Sequence, residues 1–138
     1  MKGRRLLMIP GPIEFSAEVL AEGSKPTLSH VDPVFIAEFG RALARMRQVW
    51  LAPAGQPFAV AGSGTLAMEL AVANLVEPGD RALVVNAGYF SDRMADVLRV
   101  HGAEVDILPS ALGDLPREEA LREALKAAQA KKPYKLVT

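Results

Sequence analysis

The sequence contains no cysteine, which excludes disulfide bonds and metal sites built from thiolates. Histidine is also scarce, since only His30 and His101 occur, and a cluster of imidazole ligands is nearly excluded. We therefore expect no metal site. A chain without disulfides suits a reducing compartment, so a cytoplasmic location is the expectation.

An excess of charge of either sign is missing too, because 16 lysines and arginines balance 16 aspartates and glutamates. This balance argues against a nucleic acid or an anionic membrane as the partner and leaves small molecules and protein subunits. The chain passes from its first basic residues directly to Ile9-Pro10-Gly11-Pro12, so neither a signal peptide nor a membrane span is expected. Half of the 138 residues are hydrophobic, which is enough for the core of about one domain.

Short apolar runs alternate with helix-length segments from about residue 57 onward. This pattern is typical of an α/β fold, in which a mainly parallel sheet is flanked by helices. It predicts strands over 57–61, 82–85, 104–108 and 135–137, the last one buried, and helices over 64–76, 90–101 and 116–131. Gly102 suits the position after the second helix, and Pro116 suits the first turn of the third.

The first 56 residues contain no clear strand. Asp32-Pro33 suits the start of a helix, and apolar residues then recur at helical spacing as far as Trp50, which predicts a long amphipathic helix over 33–50. Ahead of it, prolines favour an extended chain over 8–15 and 26–30. Such an N-terminal arm needs a surface to lie against, and an interface between subunits is one candidate.

Gly62-Ser63-Gly64-Thr65 stands between an apolar run and a predicted helix. Glycines allow a ligand to approach the backbone closely, and a helix start offers unpaired N–H groups and the positive end of the helix dipole. Hydroxyl groups beside them could donate further hydrogen bonds to a phosphate monoester. The same residues could instead only turn the chain and cap the helix, and the local pattern leaves both interpretations open.

A dinucleotide site is an alternative, because Gly62, Gly64 and Ala67 match the glycine spacing of the nicotinamide-binding fingerprint. That fingerprint requires an acidic residue about twenty residues later, at the end of the next strand. The next predicted strand ends instead at Asn86, and no acid follows before Asp92. No lysine follows the glycines either, which excludes a Walker A loop.

Two aromatic residues, Tyr89 and Phe90, are predicted in the loop after the strand over 82–85, on the same edge of the sheet as the glycine loop. An aromatic face there could stack on a planar heterocycle whose phosphate is bound by the glycine loop. Without other information, a ring that covers the core is the simpler interpretation.

The motifs in their order along the chain resemble those of alanine–glyoxylate and serine–pyruvate aminotransferases, which belong to class V of the fold type I enzymes that use pyridoxal 5'-phosphate (PLP). The segments that carry the resemblance cover most of the chain, and they are Leu7-Met8-Ile9-Pro10-Gly11-Pro12, Pro26-Thr27-Leu28-Ser29-His30, Gln56-Pro57-Phe58, Ala61-Gly62-Ser63-Gly64-Thr65-Leu66, Gly88-Tyr89-Phe90-Ser91-Asp92-Arg93 and Gly102-Ala103-Glu104-Val105.

This resemblance implies an incomplete fold type I chain, with an N-terminal arm over 1–30, the first part of the PLP-binding large domain over 31–138, and no small C-terminal domain. It implies transfer of an amino group from alanine or serine to glyoxylate or pyruvate, PLP as the cofactor, small amino acids and 2-oxo acids as ligands, and a homodimer.

Site residues are implied where this sequence matches the family. Ser63, Gly64 and Thr65 occupy the positions that bind the cofactor phosphate, Phe90 occupies the place of the ring that stacks on the pyridine, and Gly11 lies in the segment that borders the substrate pocket. His30 is interpreted as structural first, and Arg93 as serving its own helix.

The lysine that binds the cofactor covalently, the aspartate that pairs with the pyridine nitrogen and the arginine that binds the substrate carboxylate all lie further along the chain in this family. None of the six lysines here lies directly after a predicted strand, where it could reach a cofactor held at Ser63. We therefore expect no catalytic residue in these 138 residues and no activity of this chain alone. A truncated chain with a structural or binding role is the second alternative.

Overall fold

The structure, a computed structural model, describes residues 5–138, and the chain forms two compact units. One unit ends at Ala59, and the other is Val60–Thr138. Residues 1–4, which include the start of the predicted arm and Lys2, lie outside the described residues. The predicted boundary at residue 30 concerns the full-length protein and stays a prediction.

The first unit contains helix α1 (Ala17–Gly23) and helix α2 (Pro33–Val49). The carboxylate of Asp32 caps α2 by accepting a hydrogen bond from the Val34 N–H at 2.7 Å, and Pro33 occupies the first helical position. The long predicted helix is therefore confirmed. Residues 8–15 and 26–30 contain no helix, but residues 9–12 form a bend and His30 lies in a turn, so the predicted extended chain is interrupted at both places; the short α1 was not predicted.

The second unit is a parallel sheet with helices, which confirms the α/β prediction. Its strand order is β2-β1-β3, with β1 in the centre. The strands are β1 (Arg81–Asn86), β2 (Glu104–Pro109) and β3 (Leu136–Val137), and the helices are α3 (Gly64–Leu75), α4 (Tyr89–Val100) and α5 (Glu118–Gln129). Gly102, with a φ of 81°, follows α4 in the left-handed conformation that was predicted for it.

The core of this unit lies where β1 meets α3 and α4. Successive side chains of a strand point to opposite faces. Ala82 and Val84 of β1 pack with Val72 of α3 and Leu98 of α4, while Leu83, which faces the other side, is also buried. Both faces of the central strand are therefore covered, and its carboxyl end is held in a fixed place.

The strand predicted over 57–61 is wrong, because these residues adopt no regular structure. Phe58 and Val60 are 74% and 62% exposed. A strand exists only where a neighbouring chain segment pairs with its backbone, and no described residue pairs with this segment. The run of apolar residues was therefore not sufficient to make a strand.

Three smaller predictions also need correction. Tyr89 and Phe90 belong to the first turn of α4 and not to a loop, because the N–H groups of Ser91 and Asp92 donate to the Gly88 carbonyl and start the helix there. Val137 in β3 was expected to be buried and is 43% exposed, because β3 lies at one end of the strand order.

The third correction concerns Pro116, which was expected in the first turn of α5. Helix α5 begins at Glu118, and the extended backbone of Arg117 keeps Pro116 outside it. The capping position of α5 is Arg117, whose side chain makes no capping hydrogen bond, and the carboxylate of Asp114 instead accepts the Leu115 N–H at 2.8 Å.

Candidate functional site

The N-terminus of α3 offers backbone N–H groups that no described residue uses as hydrogen-bond donors. The Ser63 hydroxyl oxygen accepts a hydrogen bond from the Leu66 N–H at 3.1 Å, so Ser63 does cap the helix. Among the described residues, none accepts a hydrogen bond from the N–H groups of Gly64 and Thr65. Two donors at the positive end of a helix dipole remain available to an anion.

The two glycines of this loop have different environments. A Cβ atom on Gly62 would lie 2.3 Å from a terminal carbon of Leu66, so a side chain at residue 62 would displace Leu66. A Cβ atom on Gly64 would meet nothing within 4 Å. The space beside Gly64 is therefore open, and a ligand can approach its backbone closely.

A pocket of about 390 Å³ lies beside Gly64, within the second unit. This volume lies in the range of about 300–1,000 Å³ that is typical of small-molecule sites. The residues that line the pocket come from the N-terminal parts of α3 and α4 and from the chain after β3, and they are Gly64, Met68, Phe90, Ser91, Met94 and Thr138.

Phe90 presents an aromatic ring to this pocket and is 66% exposed. Its ring packs edge-to-face with that of Tyr89, with 5.4 Å between the centroids and an interplanar angle of 79°. The edge-to-face arrangement leaves ring surface available for stacking on a planar ligand. The interpretation of Phe90 as a ring that covers the core is therefore wrong.

The structure brings together two of the predicted site residues, Gly64 and Phe90, whereas Ser63 and Thr65 flank Gly64 and do not line the pocket. Gly11 lies in an exposed bend of the first unit, and its role at the substrate stays a prediction. His30 lies in an exposed turn of that unit, and the described structure gives it no hydrogen-bond partner.

Four lining residues were not predicted: Met68, Ser91, Met94 and Thr138. Met68 lies one helical turn after Gly64, and Met94 lies one turn after Phe90. Residues one turn apart share a helix face. That spacing was the signal that could have identified both methionines.

The end of β1 argues against the dinucleotide alternative. The side chain of Asn86 is occupied within the turn, since its oxygen accepts the Gly88 N–H at 3.0 Å and its nitrogen donates to Asp92 at 2.6 Å. The fingerprint also requires a strand directly before the glycine loop. Residues 57–61 form none, so the arrangement that this alternative needs is missing.

Over residues 5–138, no group of three or more histidine, aspartate or glutamate side chains could hold a metal ion. No described helix is both long and apolar enough to cross a membrane.

Comparison with known proteins shows that the chain is similar to aminotransferases over most of its length. It is 40% identical over 126 residues to alanine–glyoxylate aminotransferase 1 of Saccharomyces cerevisiae, a match that covers 86% of this chain and 33% of that protein. The chain is a homologue of the alanine–glyoxylate aminotransferases. The L-aspartate–glyoxylate aminotransferase of Paracoccus denitrificans is 30% identical over 127 residues, with 92% of this chain and 32% of that protein covered. No family model matches.

Solved structures of two further aminotransferases share the fold of this chain. An alanine–glyoxylate aminotransferase from Nostoc sp. matches with a TM-score of 0.77 and 38% identity, over 89% of this chain and 33% of that one. An aspartate aminotransferase of subgroup IV from Thermus thermophilus matches with a TM-score of 0.76 and 33% identity, over 94% of this chain and 35% of that one. The chain thus spans about a third of the length of its relatives, and its resemblance to this fold type I family is confirmed.

Proposed function

We propose that the full-length protein is a PLP-dependent aminotransferase that transfers an amino group from alanine or serine to glyoxylate or pyruvate. The observation that carries the proposal is the pocket that Gly64 and Phe90 share. The names of the relatives, an alanine–glyoxylate and an L-aspartate–glyoxylate aminotransferase, support the reaction type.

The residues that line the pocket, together with Ser63 and Thr65 on either side of Gly64, fit PLP at both of its ends. The free N–H groups of Gly64 and Thr65 suit a phosphate dianion, and the hydroxyl groups of Ser63 and Thr65 can donate to its remaining oxygens. The ring of Phe90 and the side chains of Met68 and Met94 suit the flat face of a heteroaromatic ring.

PLP, when bound, supplies an electron sink that stabilises negative charge at the α-carbon of an amino acid. The contribution of this chain is binding and orientation. The start of α3 fixes the phosphate end, Phe90 covers one ring face and keeps water from it, and Gly11 borders the substrate, as the family resemblance implies.

Among relatives whose names state both substrates, the amino donor varies and the acceptor is glyoxylate. Alanine, L-aspartate and (S)-ureidoglycine each appear with glyoxylate. Glyoxylate is therefore the acceptor that we favour. The residues that line the pocket include no cationic side chain to bind a substrate carboxylate, so donor selection belongs to other parts of the full-length protein.

Proton transfer and covalent attachment of the cofactor also need groups outside this chain. None of the described lysines lines the pocket. Lys25 pairs with Glu22 in the first unit, and Lys132 contacts Glu104 at 3.3 Å. We propose that these 138 residues alone bind no cofactor covalently and do not catalyse the reaction.

We further propose that the full-length protein is a cytoplasmic homodimer. No residue of α2 is buried, and Phe35, Phe39 and the neighbouring Trp50 are 39%, 41% and 56% exposed. An apolar stripe of this kind needs a cover, and a second copy of the chain would supply it. Light scattering that gives the mass of a monomer at all working concentrations would contradict this assembly.

An activity assay on the full-length protein tests the proposed reaction. Purified protein with PLP is given alanine or serine as the donor and glyoxylate or pyruvate as the acceptor, and the products are measured by mass spectrometry. We expect glycine to accumulate from glyoxylate. A folded protein that binds PLP and turns over no pair would refute the substrate class, and one that binds no PLP would favour the alternative of a structural or binding role.

A further inference from the structure

The turn between β1 and α4 carries a polar network that the pocket itself does not explain. Helix α4 begins after Gly88, which as the capping residue has no side chain to accept the free N–H groups of the helix start. The φ of Gly88 is 146°, in a region that residues with a side chain rarely adopt. The start of this helix must therefore be fixed from elsewhere.

Asn86, the last residue of β1, supplies that support. Its side-chain oxygen accepts the Gly88 N–H at 3.0 Å, and its side-chain nitrogen donates to an Asp92 carboxylate oxygen at 2.6 Å. One amide therefore bridges the residue before α4 and the first turn of the helix. The sequence suggested only that residue 86 is not an acid.

The backbone of Asn86 is held from the neighbouring strand as well. Its carbonyl oxygen accepts the Ser110 N–H at 3.0 Å and the Ser110 hydroxyl at 2.6 Å. Ser110 follows β2 directly. The bridging amide is thus anchored on two adjacent strands of the sheet, which are rigid elements compared with a surface loop.

Phe90 lies between the two points that this amide holds, Gly88 and Asp92. Fixing both ends of a five-residue segment fixes the helix start and therefore the direction in which the aromatic ring leaves the backbone. Tyr89 adds an edge-to-face contact to the ring but is itself 75% exposed, so it cannot supply this orientation alone.

We propose that Asn86 and Asp92 are positioning residues that hold the ring of Phe90 at the pocket. This inference rests on the proposed function, because it gives the network a role in binding the cofactor ring. Asp92 is exposed, and exposed polar pairs contribute little to global stability. The effect of breaking the pair should therefore appear in cofactor affinity more than in thermal stability.

The test measures the dissociation constant of PLP from the full-length apoprotein by equilibrium dialysis. We expect Asn86→Ala and Asp92→Ala each to weaken binding by roughly three- to tenfold, the loss of about one hydrogen bond. Asp92→Asn keeps an oxygen that can accept from Asn86 and should retain most of the affinity. Asp96→Ala is the matched control, because Asp96 pairs with Arg99 on the same helix and does not line the pocket.

A double variant separates positioning from a general structural effect. Once Phe90→Ala has removed the ring, Asn86→Ala should weaken PLP binding no further, because nothing is left to position. The inference would be overturned if the affinity losses of the Asn86→Ala and Phe90→Ala single variants multiply in the double variant. It would also be overturned if the Asn86→Ala protein binds PLP as tightly as the unmodified protein does. If the Asn86→Ala protein does not fold, the same comparison is made with Asp92→Ala: combined with Phe90→Ala, it should weaken PLP binding no further than Phe90→Ala alone. Unmodified protein that binds no PLP would overturn the proposed function, and this inference with it.

Discussion

Removing the charge of Asp106 should destabilise the part of the sheet that lies away from the pocket. Asp106 accepts hydrogen bonds from the Arg81 guanidinium and from the Tyr134 hydroxyl, the latter at 2.7 Å. The guanidinium also lies 4.6 Å from the centre of the Tyr134 ring. Only Lys135 lies between Tyr134 and the start of β3. The cluster of Arg81, Asp106 and Tyr134 therefore fixes where β3 begins, and with it the position at which Thr138 lines the pocket.

The size of the expected stability loss depends on how far the Asp106 side chain is exposed to solvent. Hydrogen bonds to a charged group contribute roughly 1.5–3 kcal/mol when they are shielded. The Asp106 side chain is 50% exposed, so solvent screens the interaction and the expected loss for Asp106→Asn is about 1 kcal/mol. Asp96→Asn is the control, since Asp96 forms an ion pair with Arg99 in which both side chains are at least half exposed.

The pH dependence has a definite sign. Hydrogen bonds from Tyr134 and Arg81 hold the pKa of Asp106 below its ordinary value of 3.8. A lowered folded-state pKa stabilises the protein above the ordinary value, and this contribution is lost as the pH falls through the folded pKa. The difference in stability between unmodified protein and Asp106→Asn should therefore shrink at acidic pH.

Burial and the contact with Asp106 raise the pKa of Tyr134 above its ordinary value of 10.0. The stability that the neutral Tyr134 hydroxyl contributes should accordingly be fully present below pH 10, and it should be lost as the pH rises through the pKa of Tyr134 in the folded protein. Urea unfolding of the full-length protein at pH 7 and about pH 3 measures the acidic limb. Equal stability of Asp106→Asn and unmodified protein at pH 7, or a difference that does not change with pH, would refute the reasoning.

Three further predictions follow from the second unit and its pocket. Leu98→Ala should lower the free energy of unfolding by about 2–5 kcal/mol, because Leu98 is fully buried. Val100→Ala in the same helix, where the side chain is 83% exposed, should change it by about 0.5 kcal/mol or less, and urea unfolding compares the two. Gly88→Ala should cost about 1–3 kcal/mol of the free energy of unfolding, since a φ of 146° strains any side chain, and urea unfolding followed by circular dichroism would measure the loss. The 138-residue chain alone, mixed with PLP and reduced with borohydride, should show no stoichiometric adduct at a single lysine by mass mapping, and such an adduct together with turnover would contradict the proposal.

Local chemistry made several elements predictable from the sequence. The Asp32-Pro33 pair starts α2 through contacts within four residues, and Gly102 ends α4 through its own backbone conformation. The strand at 82–85 was predictable because it is an apolar run, and the strand at 104–108 was predictable from its apolar residues after the turn at Gly102; the two pair with each other in parallel.

Other features depend on partners that a local pattern does not contain. The apolar run over 57–61 makes no strand without a neighbour, and Pro116 lies outside α5, which begins at Glu118. The motif resemblance singled out Gly64 and Phe90, both of which line the pocket. Met68 and Met94 were not predictable, because an apolar residue on a helix suits a core as well as a pocket.

The affinity of the full-length apoprotein for PLP and for phosphate-free pyridoxal, measured with and without Thr65→Ala, tests the central claim most directly. Thr65 lies at the start of α3, where its hydroxyl can donate to the phosphate. Loss of a hydrogen bond to a charged oxygen should weaken PLP binding by about 1.5–3 kcal/mol and leave pyridoxal binding nearly unchanged. An equal loss for both ligands would mean that Thr65 acts on the fold, and it would contradict a phosphate site at the N-terminus of α3.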